Sequence, residues 1–372
     1  MKEGWTYKKL GEVCEILDSQ RKPITKNKRE SGSIPYYGAT GCLDYVKDYI
    51  FDEKLVLLGE DGAKWDAGEN SAYIIEGKSW VNNHAHALRP KRDIILDEIL
   101  VYYLNFANLQ PFITGVTVPK LNQEKMRSID IPIYPISEQQ RIVSRLDAAF
   151  AHIDELKANA EKQLSEARAL FQKALTKAME PKEGWEEKKL EELCEIKSIL
   201  VDPTEEQYRS LIHVGGANIV SGTGELIELK TAAEEELTSG KFTFDDNDVL
   251  YNKIRPYLIK VSRPNFSGLC SADMYPLTSK NGMTRDYLYY ILVSRDFTDY
   301  AIMNSARAGM PKLNRQALFA YKCMVPPLSE QQRIVSRLDA ISAHIRELEE
   351  VLQKTIVECD ALKQALLRKV FE

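Results

Sequence analysis

The feature that most constrains this chain is a repeat of about half its length. Three segments occur twice, and the second copies follow the same order as the first. The copied pairs are 3–5 (EGW) and 183–185, 119–122 (PKLN) and 311–314, and 135–147 (PISEQQRIVSRLD) and 327–339 (PLSEQQRIVSRLD). A tandem duplication of this kind can fold with an internal pseudo-two-fold axis, and duplex DNA is the most familiar two-fold target in the cell.

Length and composition limit the class of protein. A chain of 372 residues is too long for one ordinary core and predicts two to four domains. Charged residues at 28% and apolar residues at 44% are typical of a soluble globular protein. No apolar run is long enough to span a bilayer and no leader precedes the chain, so we expect a cytoplasmic location. The six cysteines contain no C-x-x-C pair, which predicts neither a disulfide framework nor a zinc site.

The charge balance argues against an overtly basic nucleic-acid binder. The net charge is −5, residues 1–136 carry 18 basic and 19 acidic side chains, and residues 181–328 carry 18 and 21. A DNA-binding surface would therefore have to be local. Two local basic clusters exist, at 21–29 (RKPITKNKR) and 253–263 (KIRPYLIKVSR), and a solvated loop or edge strand is an equally good interpretation of each.

Two segments, 137–180 and 329–372, are predicted to be long helices. Apolar or small residues recur from 142 to 178 at alternating steps of 4 and 3 with one extra step of 4, the pattern of a coiled coil with a single stutter. The second copy repeats this pattern until Lys363, where Leu362 is the expected substitute. Ser137 and Ser329 are the predicted N-caps.

Each apolar stripe needs a partner helix. An antiparallel pair within the chain is favoured, because a whole intervening domain can return the chain to the far end of the first helix. Pairing with a second chain is the alternative.

The remaining segments, 1–136 and 181–328, are predicted to be two mixed α/β domains. We expect helices at 97–105 and 285–294, each with a Tyr–Tyr pair, and strands at 55–58, 73–75, 130–134, 248–251 and 257–261. The predicted fold class is α+β, with two domains separated and joined by an antiparallel intramolecular coiled coil of pseudo-two-fold symmetry. Between the shared motifs the two domains diverge, which is typical of recognition modules with different specificities.

Motifs for catalysis are missing. The chain lacks the glycine-rich cofactor loop and the Asn/Asp–Pro–Pro–aromatic motif of an adenine methyltransferase, and no nuclease cluster stands out. His84 and His86 could place two imidazoles on one face of a strand, but no third metal ligand suggests itself. We therefore predict a binding protein with no catalytic residues and no metal site.

These motifs resemble those of the specificity subunits of type I restriction–modification systems, and the resemblance covers the whole chain. The motifs that carry it are SEQQRIV at 137–143 and 329–335, Gly–Trp with Lys–Leu at 4–10 and 184–190, Gly115 to Asn122 echoed as Gly309 to Asn314, and the IPY and NHA segments at 34–36 and 83–85. The second copy of the third motif has lost two residues between its glycine and its proline.

The resemblance implies a non-catalytic DNA reader. Such subunits assemble with two methyltransferase subunits, which bring S-adenosylmethionine, and in some systems with two restriction subunits, which bring ATP and Mg. The target recognition domains, 1–136 and 181–328, would each read one half of a bipartite asymmetric site, and the helices would set the gap. A coiled-coil scaffold without DNA contact and a self-contained nuclease or methyltransferase are the competing hypotheses.

Candidate site residues follow from both kinds of argument. Those predicted to contact DNA are Tyr36, Tyr37, Thr40, Asn82, His84, Lys120, Lys253, Arg255, Tyr257, Lys260, Arg307 and Lys312. Lys120 and Lys312 would bind phosphates, unless their loops only cap a following turn, and Arg255 could read guanine. Burial is the alternative for the tyrosines, and a structural loop is the alternative for Asn82 and His84. Residues predicted to dock partners or cap the helices are Gln139, Gln140, Arg141, Gln331, Gln332 and Arg333.

Overall fold

The structure, a computed structural model, describes residues 5–115, 117–197, 199–305 and 309–372. These fall into two compact units, Met1–Glu161 with Gln353–Glu372, and Lys162–Leu352. Each unit combines one of the duplicated domains with part of each long helix.

The described part of unit 1 contains three sheets, three α-helices of its domain and a part of each of the two long helices. Its strands are β1 (Thr6–Lys9), β2 (Cys14–Ile16), β3 (Ser31–Gly38), β4 (Gly41–Val46), β5 (Phe51–Asp52), β6 (Leu55–Gly59), β7 (Ala72–Ile75), β8 (Lys78–Val81), β9 (Ala85–Pro90) and β10 (Asp130–Ile133). Its helices are α1 (Leu10–Val13), α2 (Asp97–Phe106), α3 (Gln123–Arg127), the start of α4 (Ile136–Ala178) and the end of α10 (Leu328–Phe371). The strand orders are β1-β10, β2-β9-β6-β7 and β4-β3-β8-β5, and β3 and β8 run parallel.

Strand β6 explains how the layers of unit 1 stack. Alternate side chains of a strand point to opposite faces. Val56 and Leu58 pack in the cluster that contains α2, whereas Leu55 and Leu57 pack in the cluster that contains Phe51 of β5. Both faces of the sheet are therefore buried, which is why β6 has an almost uninterrupted apolar sequence.

Unit 2 repeats this plan with additions. Its strands are β11 (Glu186–Lys189), β12 (Cys194–Ile196), β13 (Leu200–Val201), β14 (Ile212–Val214), β15 (Lys230–Thr231), β16 (Lys241–Phe244), β17 (Asp248–Asn252), β18 (Val261–Ser262), β19 (Gly268–Cys270), β20 (Met274–Ser279) and β21 (Lys322–Val325). Its helices are the end of α4, α5 (Leu190–Leu193), α6 (Glu206–Arg209), α7 (Arg285–Val293), α8 (Arg295–Met303), α9 (Arg315–Ala320) and most of α10 (Leu328–Phe371). The strand orders are β11-β21, β12-β20-β17-β18 and β13-β16-β19-β14-β15.

The central strand β17 has the same two-sided burial as β6. Val249 and Tyr251 pack against the helical cluster that includes Leu288 of α7, and Leu250 packs with Phe242 of β16 on the other face. The shared order β2-β9-β6-β7 and β12-β20-β17-β18 confirms that the sequence repeat is a structural repeat, and the mixed content confirms the α+β class.

Most of the predicted elements are present. Helices α2 and α7 begin at the predicted residues, and the strands predicted at 55–58, 73–75, 130–134 and 248–251 agree with the structure within a residue or so. The strand predicted at 257–261 is wrong. That segment opens with a 3-10 helix, Pro256–Leu258, flanked by Arg255 and Ile259 at φ values of 51° and 46°. Two left-handed residues around a proline turn the backbone out of the extended conformation.

The two long helices pair antiparallel within each unit. In unit 1 the Lys157 ammonium lies 2.7 Å from the Asp360 carboxylate. Closer to the start of α4, Leu146 packs in one cluster with Leu367 of α10. In unit 2 the Arg168 guanidinium lies 2.7 Å from Glu349. Residue numbers fall along one helix as they rise along the other, so the predicted antiparallel intramolecular pairing is confirmed over pairing with a second chain.

The stripe of α4 is narrower than the sequence pattern predicts. The buried seam follows Leu146, Ile153, Ala160 and Ala167 at steps of seven, and ends at Leu175 after a step of eight. Leu156, expected on the seam, is 52% exposed. The steps of seven are the heptad repeat, and the step of eight shifts the buried register by one residue between Ala167 and Leu175.

The break at Lys363 of α10 is resolved differently from the prediction. Leu362 is exposed and does not replace it. Lys363 itself stays at the seam, with its ammonium paired to Asp154 and 5.3 Å from the centroid of the Phe150 ring. The aliphatic stem covers apolar surface while the charged end meets a carboxylate and an aromatic face, so a lysine fits the seam.

The helix starts also differ by one residue. Helix α4 begins at Ile136 and α10 at Leu328, so Ser137 and Ser329 lie inside the first turn rather than at the cap. In α4 the backbone N–H groups of Glu138 and Gln139 donate to the carbonyl of Pro135 at 2.9 and 3.0 Å. None of the described helices is long and apolar enough to cross a membrane.

Leu338 of α10 is the side chain whose loss best tests the helix packing. It is fully buried in the core of unit 2, whereas Leu348, ten residues along the same helix, is 42% exposed. We expect Leu338→Ala to lower the free energy of unfolding by about 2–5 kcal/mol, because the cavity adds to the lost transfer energy. Leu348→Ala should change it by less than about 0.5 kcal/mol. Denaturant unfolding of both variants measures the difference. Equal losses of unfolding free energy would show that the face of α10 that carries Leu338 is not a packing interface.

Candidate nucleic-acid interface

Each domain presents one lysine on a matching loop, the first lysine loop (residues 118–122) and the second lysine loop (residues 310–314). Each loop ends in an asparagine that caps a short helix. The side chains of Asn122 and Asn314 accept from the third N–H of α3 and α9 at 2.9 and 2.8 Å. Capping, the alternative role for these loops, is therefore confirmed, but it fixes the asparagine and leaves the lysine side chain partly exposed.

The two lysine loops lie at the same place in the two copies of the fold. The N–H of Leu121 donates to the carbonyl of Glu60 at 2.8 Å, directly after the end of β6. The N–H of Leu313 donates to the carbonyl of Lys253 at 3.0 Å, directly after the end of β17. Glu60 and Lys253 are thus equivalent positions with opposite charges.

A second hydrogen bond fixes each loop from the neighbouring strand. His86 of β9 lies opposite Leu58, and its Nε2 is 2.7 Å from the carbonyl oxygen of Leu121. Tyr275 of β20 holds the equivalent position, and its hydroxyl donates to the carbonyl of Leu313 at 3.1 Å. Unlike side chains make the same bond, so the loop position is kept although the sequence is not.

The lysine of the first loop is held by a buried carboxylate. Glu60 accepts from the Lys120 ammonium at 2.8 Å and from the Arg21 guanidinium at 2.6 Å. Burial alone would raise the pKa of Glu60, but the hydrogen bonds from Lys120 and Arg21 outweigh it, and the pKa lies below its usual value. Arg21, counted from the sequence in an exposed basic cluster, is an internal ion-pair partner.

Asp18 and His86 extend this buried network. The Asp18 carboxylate lies 2.6 Å from His86 Nδ1 and accepts from the N–H of Ala87 at 3.0 Å. Burial opposes ionisation of Asp18, yet its bonds to His86 bring its pKa below the usual value. Among the described residues, Asp18, Glu60 and His86 form a group whose spacing could hold a metal ion. Their donor atoms are already engaged by Arg21, Lys120 and one another, so the geometry is that of a salt-bridge network.

The second lysine loop has different surroundings. The ammonium of Lys253 is buried, donates to the carbonyl of Ala272 at 2.5 Å and lies 5.0 Å from the centroid of the Tyr275 ring. Burial and then the neighbouring charge of Lys312 lower the pKa of Lys253. The exposed Asp273 carboxylate is 3.7 Å from Lys253 and 3.4 Å from Lys312. One solvated acid is shared by two lysines.

Two of the residues predicted to contact DNA in the first domain are buried. Tyr36 is 1% exposed, and its hydroxyl accepts from the N–H of Ile24 at 3.0 Å, with the Arg29 guanidinium 4.2 Å from its ring centroid. Asn82 is 2% exposed, and its side chain accepts from the N–H of His84 at 2.8 Å. The alternatives given for both residues hold, since each side chain is used inside the fold.

Three other predicted residues of this domain are exposed in part or in full. Thr40 is exposed in the turn that joins β3 and β4. Tyr37 is partly buried against Tyr73, and burial raises its pKa. The side chain of His84 is about half exposed and its Nδ1 contacts the Asp61 carboxylate. These residues remain candidates for contact with DNA.

The residues of the second domain that were predicted to contact DNA also include both exposed and inward-pointing side chains. Arg255 and Tyr257 are exposed, and the N–H of Arg255 donates to the carbonyl of Pro311, which ties this turn to the second lysine loop at 2.9 Å. Lys260 points inward and donates to the carbonyl of Gly216. Arg307 lies outside the described residues.

The predicted docking residues of the helix starts have two different roles. The amide of Gln139 is buried and makes three bonds, accepting from Leu96 N–H at 2.9 Å and donating to the carbonyls of Ile94 and Tyr134, each at 2.8 Å. Gln331 repeats them with its own domain, accepting from Thr284 N–H at 2.9 Å. Both glutamines are therefore interior residues that join a long helix to its domain and cannot dock a partner.

The next two residues of the motif face outward. Gln140 and Arg141 in α4 and Gln332 and Arg333 in α10 are exposed. Arg141 also lines a groove with Ile142 and Leu146, and Leu366 of α10 forms its other side. These four residues remain the predicted docking set.

A tyrosine–aspartate hydrogen bond is a second contact between each long helix and its domain, and together with the glutamine bonds it forms what we call the joint. The Tyr102 hydroxyl of α2 donates to Asp147 of α4, and the Tyr290 hydroxyl of α7 donates to Asp339 of α10 at 2.5 Å. Both aspartates end the copied motif. The structural match pairs Tyr102 with Tyr290, so the two Tyr–Tyr pairs noticed in the sequence are offset by one residue.

The family follows from a match over most of the chain. The type I restriction modification DNA specificity domain matches residues 2–166 and again 182–358, one match for each copy of the repeat. The chain belongs to the type I restriction–modification specificity family. Members of this family are non-catalytic subunits.

Relatives of this specificity subunit align along its whole length. It is 26% identical to the EcoDI specificity subunit of Escherichia coli, over 99% of this chain and 88% of that protein. Its fold matches a chain from a structural study of complex assembly and conformational transition in a type I system, with a TM-score of 0.73, 18% identity and coverage of 100% and 98%. The HsdS subunit of Thermoanaerobacter tengcongensis matches with a TM-score of 0.51, 19% identity and coverage of 100% and 97%.

Sequence reasoning missed several residues of the site in this specificity subunit. Glu60 pairs with Lys120 and with Arg21 only through the fold. Arg315 directly follows the copied PKLN motif and is exposed, where the first copy has Gln123. That difference beside a repeated motif was the available signal.

The two glutamines of the motif offer a matched test of the joint. We expect Gln139→Ala to destabilise the specificity subunit by about 1–3 kcal/mol or more, because it leaves buried polar groups at Leu96, Ile94 and Tyr134 without a partner. Gln140→Ala, one residue away and exposed, should change stability by less than about 0.5 kcal/mol. Thermal unfolding of the two variants gives the comparison. Similar small changes in both would contradict a structural role for Gln139.

Proposed function

We propose that this specificity subunit reads a bipartite, asymmetric DNA site for a type I modification complex. Residues 1–136 contact one half of the site and residues 181–328 contact the other. The subunit itself carries out no reaction. Its partners are duplex DNA, two methyltransferase subunits and, where the system restricts, two restriction subunits.

The observation that carries this proposal is the pair of lysine loops. Both are seated on the end of the central strand by equivalent backbone bonds, to Glu60 and to Lys253. We call each strand end with its lysine loop a seat: Glu60 with residues 118–122, and Lys253 with residues 310–314. The phosphate backbone is the same in both half-sites of a duplex, so two equivalent seats that each carry a lysine are suited to contact it. The side chains around the two seats differ, and unlike surroundings suit two half-sites of different sequence.

The docking of two identical enzyme subunits is supported by the outward face of the helix starts. Gln140 and Arg141 at one start and Gln332 and Arg333 at the other are exposed on the same motif. Identical surfaces bind identical partners. S-adenosylmethionine would then be bound by the methyltransferase subunits, and ATP and Mg by the restriction subunits, in the cytoplasm where the chromosome lies.

The long helices are proposed to set the number of base pairs between the half-sites. Helices α4 and α10 have 43 and 44 residues and pair through heptads, which makes them stiff elements of defined length.

Exchange of one domain tests the division of labour. Replacing residues 1–136 by the first domain of another family member should change one half of the modified sequence and leave the other half as it was, because each domain has its own core. The measurement is mapping of methylated adenines in DNA exposed to the chimeric subunit with its methyltransferase. The unaltered subunit is the control. A change in both halves, or in neither, would contradict the proposal.

A change in helix length tests the spacer. Inserting seven residues at matching points of α4 and α10 keeps the heptad register and adds about 10 Å, since each helical residue rises about 1.5 Å. At about 3.4 Å per base pair the gap should grow by about three base pairs. The same methylation mapping gives the gap, and an unchanged gap would rule out the spacer role.

A further inference from the structure

The two lysine loops share a seat but differ in electrostatics. At the seat, Glu60 in the first domain is replaced by Lys253 in the second, and both side chains are buried. The residue that follows the loop changes in the same direction, from Gln123 to Arg315. Two equivalent positions therefore both become cationic in the second domain.

Charge in the first seat is balanced internally. Lys120 and Arg21 share the two oxygens of Glu60 at 2.8 and 2.6 Å, and Glu60 is largely shielded from water. The Arg21 guanidinium also lies 3.3 Å from the Asp18 carboxylate. Two cations thus meet two shielded carboxylates within direct contact.

Charge in the second seat is not balanced. Lys253, Lys312 and Arg315 surround Tyr275, with the Lys253 ammonium at 5.0 Å and the Arg315 guanidinium at 6.0 Å from the ring centroid. The carboxylate among them is Asp273, whose side chain is 59% exposed and lies 3.4 and 3.7 Å from the two lysines. A solvated acid at these distances neutralises far less than a buried one in contact. The lowered pKa of Lys253, from burial and from Lys312, agrees with an excess of positive charge.

We infer that Lys253, Lys312 and Arg315 form a seat for one backbone phosphate of duplex DNA in the second domain, and that Glu60 weakens the equivalent contact in the first domain. Lys312 and Arg315 reach solvent and contact the phosphate, whereas buried Lys253 strengthens the local potential. The inference rests on the proposed function, because it takes DNA as the ligand. It adds that the two halves anchor DNA with unequal electrostatic strength, the second more strongly.

Salt dependence of binding measures each contribution. The full-length subunit in complex with its methyltransferase is titrated with a duplex that carries the site found by methylation mapping, at several salt concentrations. The slope of log K against log salt reports the number of neutralised phosphates. Lys312→Ala and Arg315→Gln should each reduce the slope by about one. Lys120→Ala, the matched change in the first loop, should reduce it by less than half as much.

Removal of the buried acid gives the converse change. Glu60→Gln should raise the slope by up to about one by releasing Lys120, and it should have no such effect in a Lys120→Ala background. Lys312, Arg315 and Lys120 are partly or fully exposed, so their variants should fold, and thermal unfolding checks this.

The outcomes separate the two proposals. Specific binding with equal slope losses for Lys120→Ala and Lys312→Ala, or with no loss for Lys312→Ala and Arg315→Gln, overturns the phosphate seat and leaves the proposed function standing. A wild-type complex that prefers no duplex sequence overturns the proposed function, and the inference with it.

Discussion

The buried amides of Gln139 and Gln331 are the contacts on which the repeated architecture depends. Each amide makes three hydrogen bonds that tie the first turn of a long helix to the adjacent domain, and a buried amide with three partners tolerates little displacement. The bonds from Tyr102 to Asp147 and from Tyr290 to Asp339 fix the helix about two turns further on. The helix start and its domain therefore form one rigid joint, made twice by the same motif.

This joint explains why one short motif is copied so closely. Its buried residues must satisfy the interior bonds, and its exposed residues, such as Arg141 and Arg333, face outward from the same turn. Because one buried residue and two exposed residues follow one another within a single helical turn, a shift of the helix would change both faces together. The lysine loops are less closely copied than this motif. Their backbone position is the same in both domains, but His86 makes the supporting hydrogen bond in one and Tyr275 in the other. Comparison of the two sequence copies could not reveal this equivalence, because it appears only in the strand register.

The sequence was informative wherever a local period or a copied motif set the structure. The helices, their antiparallel pairing, the α+β class and the bounds of α2 follow from periodicity and from the repeat. It failed where a single side chain decided the outcome. Lys363 stays on the seam because Asp154 and Phe150 receive its charged end, and the turn before Ile259 depends on left-handed residues. The site was less predictable still. The sequence around Tyr36 is compatible with an exposed loop, and only the fold shows that this tyrosine lies in β3 and is buried.

The inferred inequality of the two seats leaves the duplicated framework intact. The exchange of Glu60 for Lys253 occurs at equivalent points, so it makes the two halves differ in charge without disturbing the hydrogen bonds of Gln139 and Gln331. Phosphate contacts carry no sequence information, so in the proposed function the orientation on an asymmetric site comes from the unlike side chains around the seats and not from this charge difference. A local group of three cations also agrees with a net charge of −5, since DNA binding needs a positive surface only where the backbone is contacted. In the proposed function the duplication would thus supply a symmetric framework for identical partners, and the charge reversal would make one DNA contact stronger than the other.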